Sequence, residues 1–227
     1  GFCDLVVAGN GTTTYDGSGQ IRLNTSSGNR IYSESGAGTI VFNVPTLGAG
    51  QLGVGVTTLV LNSVVENDGA GTLVVQASSG GTDNNGVIRQ SGAGFLQLRG
   101  FVNNEQGRLE VTGDGFFDLD GCTLIGGTLA DTGAGSFIVD AGIPILQSIT
   151  LESGDVVIGP TAQARFSGIN TIAGSLRAVQ SGTGVSDIVV TGNVNTTFNG
   201  PGQISLTNNA GNRIYSESGA GTIVFNV

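Results

Sequence analysis

The chain has 227 residues, 41 of them Gly and 38% apolar, with seventeen acidic side chains against eight basic ones and a net charge of −9. It contains no His, Lys, Met or Trp, so every basic residue is Arg. These counts exclude His- or Lys-dependent nucleophilic catalysis and His-bound zinc, and the acidic balance argues against nucleic acid or an anionic membrane as partner.

Short apolar runs between Gly-, Ser-, Thr- and Asn-rich turns start at the N-terminus. LVVAGNGTTTYDGSGQIRLNTSS (5–27) therefore reads as strands and turns. GNRIYSESGAGTIVFNV (28–44) follows as a strand, a Gly-x-Gly corner and a second strand. The corner-and-strand template then recurs in GAGTLVVQA (69–77), GAGFLQLRG (92–100), GDGFFDLDG (113–121), GAGSFIVDA (133–141) and GAGTIVFNV (219–227). Looser copies start at Gly17, Gly48, Ser153, Ala173 and Gly200, and most neighbours lie 19 to 23 residues apart.

Within the template the letters alternate, as a strand buried on one face requires. One column, Ile40, Leu73, Leu96, Phe117, Phe137 and Ile223, is wholly apolar. Two positions on, Phe42, Val75, Leu98, Leu119, Val139 and Phe225 are apolar as well. The columns between them are mixed and face outward. No window has helical spacing, and so much Gly destabilises helices. A period near twenty residues marks a solenoid whose coils bury their apolar faces on one another. The expected fold is all-β, a single-stranded parallel β-helix of about 20 residues per coil and about eleven coils, a rod of roughly 50 Å at ~4.8 Å per coil. No run of eighteen apolar residues occurs, so no membrane insertion is expected. A chain that opens with Gly1 and carries no signal peptide reads as a mature product or a piece of something longer.

The seventeen letters of 28–44 return unchanged at 211–227, 183 residues later. Upstream, 5–27 aligns with 188–210 at eleven of twenty-three positions. Residues 1–227 are thus expected to form one continuous solenoid, with 5–187 one repeat unit of about nine coils and 188–227 the start of the next.

The recurring SGAG-x-[ILF]-x-[VLF] pattern resembles the passenger segments of bacterial surface β-helices, among them autotransporter passengers and filamentous-haemagglutinin-type adhesins. The resemblance is one of pattern and covers nearly the whole chain. It implies a right-handed β-helix, secreted or displayed on a cell surface, with adhesive or structural duties.

Candidate sites are few. Glu110, Asp114, Asp118 and Asp120 form an acidic patch in sequence, a candidate calcium or sugar site weighed against a solvated surface. SGTGVSDIV (181–189) matches a calcium-binding nonapeptide only loosely. Thr-rich pieces at 12–14, 57–58 and 196–197 lie too far apart in sequence to build the Thr columns of an ice-binding face. Outward Val41, Val74, Ile138 and Val157 are candidates for a lateral seam between rods, and Arg30 and Glu34, with their copies Arg213 and Glu217, for an inter-chain contact. Arg99 is expected beside Asp120 on the next coil. Cys3 and Cys122 lie some six coils apart, too far for an intramolecular disulfide. No catalytic residue, cofactor or metal site is expected. The reading is a structural, non-enzymatic segment of an extracellular fibre whose partners are copies of itself. The alternatives are an adhesin stalk and a β-helix that binds or cleaves a surface polysaccharide.

Overall fold

The structure, a computed structural model, describes residues 3–179, 184–192, 195–207, 211–219 and 221–227. The described residues form thirty strands, from Asp4–Val7 to Ile223–Asn226, which pass in strict rotation to a first, second and third sheet. Each sheet holds ten parallel strands, and the described residues contain no helix. The molecule is a β-solenoid.

It has about nine turns of roughly 23 residues rather than eleven of twenty. The coils lengthen where their corners carry loops. Asp4 lies opposite Arg30, and Leu176 opposite Ile204, whereas Phe137 meets Val156 after a much shorter circuit. In the first coil the added chain is the 24–29 loop, closed by Ser26 N–H and Asn29 Nδ2 donating to the Asn24 side-chain oxygen.

Alternation places the core as expected. Leu73, Leu96, Phe117 and Phe137 are consecutive partners in the first sheet and are all fully buried. Phe117 and Phe137 sit 5.2 Å apart, ring centroid to centroid. Two members of that sequence column belong elsewhere: Ile40 lies in the second sheet and Ile223 in the third. All three faces need the same alternation, so the template alone does not say which face a copy occupies.

The interior is not wholly apolar. Asn67 donates to Gln90 at 2.9 Å and Asn84 to Asn104 at 2.6 Å, each pair joining successive coils where the chain turns. These amides satisfy polar groups that water cannot reach.

Gly36 and Gly219 have positive φ and serve the local turn, but in three later Gly-x-Gly corners the second glycine has a cause that lies between coils. A Cβ on Gly94 would overlap the carbonyl oxygen of Gly71 below it, one on Gly115 that of Gly94, and one on Gly135 that of Gly115. None of these glycines has positive φ. They are required by axial stacking at ~4.8 Å, and not by the local turn.

The Thr pieces at 12–14 and 57–58 are nearer than sequence distance implied. Thr12, Thr39 and Thr58 stand on consecutive coils of the second sheet, because only every third strand returns to a face. The column is only three residues long: the next coil has Gly81 after Thr58, one place before Thr82 opposite Leu59.

Candidate functional site

The outer surface is organised by ion pairs between coils. Each of the eight Arg side chains pairs with a carboxylate, and all eight lie within strands. Parallel stacking puts residues one coil apart side by side, so opposite charges some twenty residues apart become neighbours. Arg99 donates from Nε to Asp120 at 2.7 Å, as the sequence predicted.

The identically repeated segment carries one such pair in each copy. Arg30 donates from Nε to Asp4 Oδ1 at 2.9 Å, and its guanidinium also lies 5.1 Å from the centroid of the Tyr32 ring. In the second copy Arg213 grips Asp187 with two hydrogen bonds, 3.0 and 2.6 Å, and lies 5.0 Å from the Tyr215 centroid. Sequence reasoning singled out both arginines but missed Asp4 and Asp187. The signal was present, since both occupy the same place in the 183-residue unit, yet only the coil length shows that they touch.

The two copies differ in burial. Asp4 is exposed, and its hydrogen bond from Arg30 holds its carboxyl below the ordinary carboxylate value. Asp187 is 3% exposed. Its burial alone would raise the pKa, but the hydrogen bonds from Arg213 and Gln163 outweigh it and the carboxyl is held down. Glu34 is exposed next to the first copy, whereas Glu217 reaches Arg165, two coils away, at 2.6 Å.

The acidic patch is divided by the fold. Glu110 lies in the third sheet between Arg89 and Arg108, each at 2.7 Å. There burial raises its pKa and the two guanidinium groups more than reverse the effect. Asp114 sits exposed in the following turn. Asp118 lies in the first sheet, and Asp120 just beyond the end of the same strand is tied to Arg99. Asp118 is 5% exposed, takes one long hydrogen bond of 3.3 Å from Gln97, and has its Oδ1 buried without a partner. Burial first, then the nearby Asp120 and Asp140 charges, push its pKa up to about 6. No group of three or more potential metal ligands occurs among the described residues. Of the nonapeptide-like segment, 181–183 lies outside the described residues.

The proposed lateral seam is also divided. Val74 and Ile138 share an outward column of the first sheet with Gln97, Asp118 and Val157, but Val41 projects from the second sheet between Thr14 and Val60. Beside Ile138 the sequence reading missed two exposed aromatics, Phe95 and Phe116, whose ring centroids are 5.6 Å apart. With Ile138 and Val157 they line a shallow groove of about 300 Å³ edged by Asp140. Cys3 is exposed and Cys122 buried, and both thiols are free.

Comparison of the chain with known protein families, with curated proteins and with solved structures finds no match.

Proposed function

We propose that this chain is a structural, non-enzymatic segment of an extracellular β-solenoid fibre, lengthened by tandem repetition and by coil stacking on coil. One observation carries the reading: the second copy of the unit continues the same stack and rebuilds the same Asp–Arg–Tyr contact. Copying the unit therefore lengthens the rod without a change of architecture. The extracellular, cell-surface setting rests on the pattern resemblance to bacterial surface β-helices.

The full chain is to be examined by sedimentation and electron microscopy over a range of concentrations. Rods that grow end to end as concentration rises support the proposal; a monodisperse short rod at every concentration counts against it. An adhesin stalk would share the rod but add a binding tip elsewhere.

The Phe95–Phe116 groove favours a second reading, a polysaccharide-binding face. Apolar ring faces flanked by carboxylates suit sugar rings, which present both C–H and O–H groups. Glycan binding that is lost in Phe95→Ala and Phe116→Ala would support this reading, and its absence from a broad glycan panel would remove it.

A further inference from the structure

The two copies of the repeated segment do not lie on the same face. Arg30–Ser33, the fourth strand, belongs to the first sheet, whereas its copy Arg213–Ser216, the twenty-ninth, belongs to the second. Thr39–Phe42 moves likewise from the second sheet to the third, where Ile223–Asn226 repeats it. Asp4–Val7 is matched by Asp187–Val190 and shifts from first to second. Ile21–Arg22 in the third sheet corresponds to part of Gln203–Leu206 in the first. Every matched strand moves on by one face in the same direction. The unit is 25 strands long, which is eight complete coils and one strand more. A unit of nine whole coils would have kept each copy on its own face.

We infer that a tandem array of this unit is a three-faced screw, in which each copy rises about 40 Å and turns by about one third of a circuit. This inference rests on the tandem reading above. The outer chemistry of the segment, Arg30, Tyr32 and Glu34, then points in three directions along the fibre. It returns to one face only after three units, or 25 coils, about 120 Å at ~4.8 Å per coil. The unequal divergence of the copies fits a surface retained for its own sake. All seventeen positions of 28–44 are kept, the outward ones included, while 5–27 keeps eleven of twenty-three.

The turn can be measured on the full chain. Glu34 and Glu217 occupy the same place in the unit and are exposed. Changing both to Cys, with Cys3→Ser, allows attachment of biotin and monovalent streptavidin, while buried Cys122 stays unreactive. Electron-microscopic averages of doubly decorated rods should show the two densities about 40 Å apart axially and projecting from different sides. The pair Asn43→Cys and Asn226→Cys, also exposed and equivalent, repeats the measurement if Glu217→Cys fails to fold through loss of its Arg165 contact. Densities on one side with both pairs overturn the inference. If the chain never forms filaments, the fibre reading falls, and the decoration still measures the turn.

Discussion

Arg30 and Arg213 show how burial decides what one contact contributes. Both grip an aspartate one coil back, but Asp4 is exposed and Asp187 is not. Arg213→Ala leaves a buried carboxylate without its main partner and should destabilise the solenoid by about 1–3 kcal/mol. Arg30→Ala removes a solvated, screened pair and should cost clearly less than Arg213→Ala. Denaturant titration of both variants checks the difference, and equal effects would contradict it. Asp118 gives the opposite case. Its folded pKa of about 6 lies above the ordinary carboxylate value near ~3.9, so the folded state holds the proton more tightly. Its contribution to stability is therefore full below about pH 4 and is lost as the pH rises through about 6. Asp118→Asn removes that loss and should be more stable than the parent at pH 8, by about 2 kcal/mol, with little difference at pH 4. Parallel stability curves across this range would refute the assignment.

At the scale of a strand and its corner, the glycine ladder determines what the template tolerates. Gly94→Ala forces a methyl into the Gly71 carbonyl and should cost about 1–3 kcal/mol, since backbone must move. At Gly19, where φ is not positive and an added methyl would meet nothing within 4 Å, alanine should be close to neutral. Thermal unfolding of the two variants decides it. The alternating strands and their apolar faces were legible in sequence because the period of two is local. The role of the glycines was not, because the atom that excludes a side chain lies one coil away. The same reason hid the Thr12–Thr39–Thr58 column and the Asp4 and Asp187 partners.

Over the whole molecule, each coil touches only its neighbours, so stability is lowest at the ends and highest in the middle. All eight trypsin sites lie on strands and in ion pairs. Limited trypsin digestion should therefore cut first after Arg213, Arg22 or Arg30, in the outer coils, and last after Arg99 and Arg108. Mass spectrometry of the first fragments tests this, and early cleavage at Arg99 or Arg108 would show that the coils do not fray from the ends. The fibre proposal belongs to the same scale. Its stiffness comes from three continuous hydrogen-bonded sheets, and its charge of −9 keeps rods apart laterally unless a specific contact intervenes.

The amino-acid sequence by itself determined the all-β solenoid, its buried columns at Leu73, Leu96, Phe117 and Phe137, and the Arg99–Asp120 contact, because alternation and a near-constant period repeat within short windows. It also exposed the 183-residue copy. Which face each copy occupies was decided only by the tertiary structure. A near-constant period of twenty gives only about nine turns for the unit; the corner loops lengthen the coils, and 25 strands cannot be divided among three faces without one left over. Loop length has no periodic signature in sequence, so the one-face turn of the repeat, and the division of Glu110 from Asp118 and of Val41 from Val74, emerge only when the coils are stacked.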